Sequence, residues 1–439
     1  MDRGDEGQKM ELNFALYEIG TGEQEIYAER LFKRLPPSLD PQDEVQLETL
    51  LHLADSLLSR IETADELEAI EELVESQPER WPIPARMVVK LARSKAALMR
   101  RPGKLHFSVV VPLYGEHNRL RQPFEHPEGE DLIRQKLRQI KWICRAGASH
   151  TFELLFVDDG CPHGSGRIAE QILARDHPNA PARVIHLEDA INRNHPALAG
   201  LQSVDESQKG GAVHLGIWEA AAMPSYSYRD HIVAFTDADL STHLGQLGLL
   251  VEALDQPGTL IATGSRRARN SLVVKKENRS ARGRLFIYLW KKLLPELAYV
   301  DDTQCGFKAI RAEDVAPITR SLVNQGLAFD IELLLSSERL RRRSISQVPI
   351  AWIDSDKASN TRSTSTHLSM LRSIVSLSRS LEKRRDGCED FSRVIESLDE
   401  DSWNQAIEQF GPTLSHIDPA LDRDYSLIAP SELLALQAT

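Results

Sequence analysis

Four short apolar runs, separated by helix-like stretches and mostly closing on acidic residues, constrain this chain more than any other feature. Phe107-Ser108-Val109-Val110-Val111 is expected to break at Pro112, with Glu116 just beyond; Phe152 to Val157 ends in Asp158-Asp159-Gly160. A helical stretch follows from about Gly166 to Ala174, then a run from Arg183 to Leu187, then Lys209-Gly210-Gly211-Ala212-Val213 opening a helix. The last run, His231 to Thr236, ends in Asp237-Ala238-Asp239. Near-continuous apolar strands alternating with helices indicate a mostly parallel sheet covered on both faces. Ligands of such sheets bind beyond the carboxyl ends of the strands, where Glu116, Asp158, Asp159, Asp237 and Asp239 fall.

The Asp237/Asp239 pair is the sharpest chemical signal. Side chains alternate along a strand, so carboxylates at i and i+2 point the same way. They repel unless a cation sits between them, and a hard divalent cation bridged to substrate phosphates is the usual solution. An isolated pair of this kind also fits two solvated loop aspartates; the neighbouring strand-end acids favour the metal–phosphate site.

Composition narrows the class. The chain has 439 residues, a formal net charge of -12 and a pI near 5.7, an acidic balance that argues against nucleic acid as a partner. No apolar stretch approaches the roughly 18–20 residues that span a bilayer, and the acidic start Met1-Asp2-Arg3-Gly4-Asp5-Glu6 does not fit a secretion signal. The 4 cysteines (Cys144, Cys161, Cys305, Cys388) lack metal-like spacing and suit a reducing compartment. These features predict a cytoplasmic protein, with peripheral docking at a membrane left open.

Three regions follow from the patterning. Residues 1–104 carry helical apolar spacing (Leu47, Leu50, Leu51, Ala54, Leu57, Leu58) and read as an α-helical region joined by a charged hinge at Arg100–Lys104. Residues 105–365 hold the strand–acid units. Residues 366–439 begin with a helix bearing Leu368, Leu371, Ile374, Val375, Leu377 and Leu381, a stripe that fits core, a partner face or a membrane surface.

The segment from about Phe107 to Arg362 resembles a family 2-type glycosyltransferase of the GT-A fold, most of all the dolichyl-phosphate β-glucosyltransferase and mannosyltransferase branch. The strings carrying the resemblance are Val110-Val111-Pro112 with Glu116, Val157-Asp158-Asp159-Gly160, Lys209-Gly210-Gly211-Ala212-Val213, Asp237-Ala238-Asp239, Gly264-Ser265-Arg266, Asp302-Thr303-Gln304-Cys305-Gly306-Phe307-Lys308 and Ala328-Phe329-Asp330-Ile331-Glu332-Leu333-Leu334. Departures are Cys161 where a serine is usual, Gly115 where an asparagine is usual, insertion-like stretches at Arg119–Asp131 and Asp189–Ser207, and the lack of the branch's hydrophobic membrane segments.

The resemblance implies a GT-A domain, Rossmann-like, flanked by the helical N-terminal region and C-terminal extension. It implies an inverting, metal-dependent hexosyltransferase using a nucleotide sugar, with UDP-glucose favoured and GDP-mannose the alternative. Asp158 would accept the uracil imide hydrogen, with Pro112 and Glu116 lining that pocket and Asp159 capping a helix. Lys209 and Gly210 would hold the diphosphate at a helix start, aided by Lys357 and Arg362. Asp237 and Asp239 would ligate Mg2+ or Mn2+, with Ser241 or His243 as further candidates. Asp330 is the candidate base and Asp302 its catalytic companion; Glu332 shares the face of Asp330 only if the backbone is extended. Arg266, Arg279 and Arg282, in a basic stretch of this acidic chain, with Gln304 and Gly306, would border an anionic acceptor such as a lipid phosphate. Two rival readings are a GT-A-like non-catalytic scaffold or carbohydrate-binding subunit, and a sugar nucleotidyltransferase. The latter needs a glycine-rich signature that the residues after Val111 lack.

Overall fold

The structure is a computed structural model that describes residues 25–33, 35–61, 63–147, 150–222, 229–274, 280–354, 364–381, 387–415 and 427–436. Its strands are β1 (Lys104–Leu113), β2 (Thr151–Asp158), β3 (Ala182–His186), β4 (Arg229–Phe235), β5 (Ile261–Ser265), β6 (Leu272–Val274), β7 (Lys308–Arg311), β8 (Ile345–Pro349) and β9 (Ala351–Ile353). Seven of them form one sheet in the order β3-β2-β1-β4-β7-β5-β8, while β6 pairs with β9. Only β7 runs antiparallel to its neighbours β4 and β5; the other pairs are parallel.

Strand residues alternate between two cores, the reason the apolar runs are nearly continuous. Val109 and Val111 of β1, Leu154 and Phe156 of β2, and Ile232 and Ala234 of β4 enter one core. Val110, Leu155, Val157, Val233 and Phe235 enter the other. The first is closed by α1 (Glu44–Leu58), α2 (Ala64–Ser76), α3 (Ile83–Arg100), α4 (Leu132–Cys144), α5 (Ser165–Asp176) and α8 (Leu247–Leu254). The second is closed by α6 (Leu187–Asn192), α7 (Gly210–Ala221), α9 (Ser280–Leu293), α10 (Ala312–Thr319), α11 (Phe329–Leu340) and the C-terminal helices α12 (Thr364–Arg379), α13 (Cys388–Ser397), α14 (Glu400–Ser415) and α15 (Pro430–Ala435).

Two expectations change, and one left open is decided. β1 does not break at Pro112: the strand continues to Leu113, with Pro112 opposite Val157. Val110 accepts the Thr236 N–H at 3.0 Å, and alternate residues face the same neighbour. The missing N–H of Pro112 therefore falls on the β4 side, beyond the last β1–β4 pair, Val110 with Phe235, and costs no ladder bond. The charged link at Arg100–Lys104 is pinned rather than a hinge, because Arg101 donates from Nε to Asp255 at 2.8 Å and also pairs with Asp230. The leucine stripe of α12 is core, with Leu368, Leu371, Ile374 and Val375 all buried. Among the described residues no helix is long and apolar enough to cross a membrane.

Candidate active site

A cavity of about 1770 Å³ opens beyond the carboxyl ends of β1, β2 and β4. It gathers Pro112, Glu116, Lys209, Asp237, Asp239, Arg266, Arg282, Asp302, Gln304 and Asp330 from segments far apart in sequence. Asp158, Gly210 and Gly306 are not on its wall. Arg279, Lys357 and Arg362 lie outside the described residues.

β4 ends at Phe235, so Asp237-Ala238-Asp239 is a turn beyond the strand and the pleat does not orient its carboxylates. Both nevertheless face the cavity. Beneath them lies Lys136 of α4, wholly buried, whose Nζ donates to the backbone carbonyls of Asp237 at 3.0 Å and Asp239 at 2.7 Å. Motif reading missed this residue because its chemistry lies on a helix about a hundred residues upstream. Asp239 Oδ1 also accepts the Ser241 N–H at 3.1 Å. His243 lies off the cavity wall, its Nδ1 accepting the Gly245 N–H at 2.9 Å.

Asp237 is flanked by two sequence-predicted residues. Lys209 Nζ lies 2.6 Å from its Oδ1. Against the cost of burial, Lys209 holds the Asp237 carboxyl below the ordinary range. A Cβ on Gly306 would meet both carboxylate oxygens at 2.4 Å, so only glycine leaves Asp237 its place. Lys209 has φ +78°, a region that costs a non-glycine residue roughly 1–3 kcal/mol. Its backbone is held there by Asp159 Oδ2, which accepts the Lys209 N–H at 2.6 Å.

The α7 start differs from the expected anion cradle. The N–H groups of Gln208 and Gly211 both donate to Gln325 O, at 3.1 and 2.9 Å, and that of Lys209 goes to Asp159. Gly210 serves packing, since a Cβ there would meet Gly326 O at 2.5 Å. Lys209 of this turn lines the cavity.

Of the two acids after β2, the structure puts the second, not the first, on the cavity wall. Asp158 Oδ1 accepts the Gly166 N–H at 3.1 Å at the start of α5, with His186 Nδ1 3.5 Å from Oδ2. Asp159 is the one on the cavity wall, its oxygens taken by Ser207 Oγ and the Lys209 N–H; burial pushes it up to about 6. Glu116 pairs with Arg119 at 2.6 Å, and Arg119 Nε lies 3.5 Å from the fully buried Glu130. Burial pushes Glu130 up to about 7, against the pull of Arg119.

Asp302, also on the cavity wall, is held by Arg266. Arg266 grips it from Nε at 2.7 Å, Nη2 at 2.8 Å and the backbone N–H at 2.9 Å. Although burial opposes it, this pairing holds the Asp302 carboxyl far below the ordinary range. Asp302 is thus a poor proton acceptor, and Arg266, spent on Asp302 and stacked 5.7 Å over Trp352, is a poor cation for an acceptor. Arg267, of the same basic stretch, lines the cavity, as does Arg282. Gln304 Nε2 is buried without a hydrogen-bond partner among the described residues. Asp330 opens α11 and pairs with Lys308 Nζ. Glu332, one helical step on, instead accepts the N–H groups of Val323 and Asn324. The C-terminal extension contributes Thr366, Ser369, Met370 and Ser373, one face of α12, and Ile407 of α14.

A divalent cation fits the Asp237/Asp239 pair on donor chemistry. Two hard oxygen donors share one cavity, and the Asp239 carboxyl is raised by burial and by Asp237, so protein cations do not fully offset the pair. Among the described residues no group of three or more His, Cys, Asp or Glu side chains is arranged around a common point. Water and substrate oxygens would complete the shell, as is usual for Mg2+.

No family model matches the chain. Among curated proteins it is 26% identical over 245 residues to the glycosyltransferase AglD of Haloferax volcanii, covering 56% of this chain and 32% of that one. It is 27% identical over 260 residues to the dolichyl-phosphate β-glucosyltransferase of Drosophila melanogaster (57% and 68% covered) and 28% over 257 residues to that of Mus musculus (56% and 67%). The chain thus spans about a third of the archaeal relative and about two thirds of the two animal ones. Among solved structures, glucosyl-3-phosphoglycerate synthase from Mycobacterium tuberculosis aligns with a TM-score of 0.43 and 21% identity, covering 68% of this chain and 85% of that one.

Proposed function

We propose that this chain, a relative of the dolichyl-phosphate β-glucosyltransferases within the family 2-type glycosyltransferases, transfers a hexose from a nucleotide sugar to an anionic acceptor. UDP-glucose is the favoured donor, Mg2+ or Mn2+ the cofactor, and inversion the stereochemical outcome. The observation carrying this reading is the convergence of Asp237, Asp239, Lys209 and Asp330 on one cavity.

In this reading Asp237 and Asp239 hold the cation and Lys209 meets the donor diphosphate. The cation, when bound, offsets charge building on the leaving nucleoside diphosphate. Pro112, Glu116 and Asp159 form the wall nearest the base. The acceptor enters from the side of α9 and α12, where Arg267, Arg282 and the amide of Gln304 meet its anionic group. Asp330 Oδ1 accepts a hydrogen bond from Lys308 Nζ. An acceptor oxygen that is already ionised, such as a phosphate, needs no base there and is favoured for that reason. The place of action proposed is the cytoplasm, with an acceptor that is free or presented at a membrane surface.

A thermal-shift screen of sugar nucleotides with and without Mn2+ tests the reading, because a ligand that binds the folded state raises the melting temperature. UDP-glucose with Mn2+ is expected to give the largest shift. No shift with any sugar nucleotide, and no hydrolysis of one, removes the transferase reading.

A further inference from the structure

We infer that Lys136 is a positioning residue of the metal-holding pair, acting through the backbone of the turn that carries it. Lys136 is fully buried, and lysine almost never is unless its charge is matched. Its ammonium donates to the carbonyls of both Asp237 and Asp239. Drawing the carbonyls of residues i and i+2 to one inner point curls the turn and leaves its two carboxylates on the cavity side. A strand would have oriented the pair by its pleat, but β4 has already ended; Lys136 supplies what the strand does not.

Its own surroundings fit this role. Burial holds its ammonium below the ordinary lysine range, while Asp239, Asp237, Glu130 and Glu116 favour its charged form and His243 is held neutral beside it. Lys136 thus stays behind the turn, with no place on the cavity wall and no contact with substrate. Second-layer partners of this kind orient metal ligands, and their loss usually weakens metal affinity about 10–100-fold.

The sign of the effect separates this role from a purely electrostatic one. A cation behind two carboxylates repels a bound metal, so removing its charge alone tightens metal binding. Removing the backbone clamp weakens it. The inference rests on Asp237 and Asp239 as the metal pair, and direct Mn2+ binding to the full chain, read by electron paramagnetic resonance with and without UDP, tests both. Lys136→Met is expected to weaken Mn2+ about tenfold or more, with UDP binding in the absence of metal unchanged. Lys136→Gln, which keeps an N–H donor without the charge, is expected to bind Mn2+ at least as tightly as the wild type. Unchanged or tighter Mn2+ binding by Lys136→Met overturns the inference. If that variant does not fold, Lys136→Ala, which also removes the donor, decides: a loss of about tenfold supports the clamp, and unchanged or tighter Mn2+ binding overturns it. Failure of the wild type to bind Mn2+ even with UDP overturns the metal reading instead.

Discussion

Lys308 Nζ lies 2.5 Å from Asp330 Oδ1, and the same ammonium donates to the carbonyls of Cys305 at 2.7 Å and Thr303 at 3.2 Å. One buried cation thus joins Asp330 on α11 to the 303–305 segment, whose Thr303 and Gln304 line the cavity. Breaking a buried pair by removing one partner leaves an uncompensated charge and costs about 3–5 kcal/mol. Lys308→Met should lose stability of that order in urea unfolding. The double variant Lys308→Met/Asp330→Leu should recover much of it; if the double is as unstable as the single, the pairing is not what stabilises the site.

Asp330→Asn separates two acceptor chemistries. With an ionised acceptor oxygen, activity at neutral pH should fall only a few-fold. With a hydroxyl acceptor, loss of a general base should cost about 10²–10⁴-fold. Steady-state rates at saturating donor make the distinction.

Asp239→Asn should abolish transfer while leaving the melting temperature unchanged or raised, since burial and the Asp237 charge both disfavour its ionised form. EDTA should silence the wild type, and Mn2+ should restore it. Substantial activity in the variant, or indifference to EDTA, would falsify the metal mechanism.

Glu130 gives a pH signature. Its carboxyl is raised from the ordinary 4.5 to about 7, mainly by burial. A raised acid is protonated more readily in the folded state, so stability falls as pH rises from about 4.5 through 7. At about 1.4 kcal/mol per pKa unit, Glu130→Gln should gain ~3–4 kcal/mol at pH 8 and little at pH 4.5. Equal effects at both pH values in chemical denaturation would contradict this assignment.

Charge reversal at Arg279 and Arg282 should raise the acceptor KM far more than the donor KM, and added salt should shrink the difference through screening. A neutral acceptor used at full rate by that variant, with no salt dependence in the wild type, removes the anionic acceptor. On the donor side, UDP should protect against heat more than GDP in the presence of Mn2+; the reverse order moves the donor toward GDP-mannose.

The sheet, its two-sided burial and the strand-end acids were legible because they are local. Period-two burial writes itself into runs such as Phe152–Val157, and Asp237 and Asp239 stand at the end of one. Which carboxylates stay available was decided only by tertiary structure. Asp302 and Asp330 read alike in sequence, yet Arg266 chelates the first through three donors and Lys308 holds one oxygen of the second. Asp158 and Asp159 are neighbours, yet one caps α5 and the other secures the strained backbone of Lys209. The membrane-compatible stripe of α12 became core because α9, α13 and α14 lie against it. Periodicity reports that a face will be buried, while the partner that buries or neutralises a group comes from contacts as distant as Lys136 and Asp239, which no local pattern records.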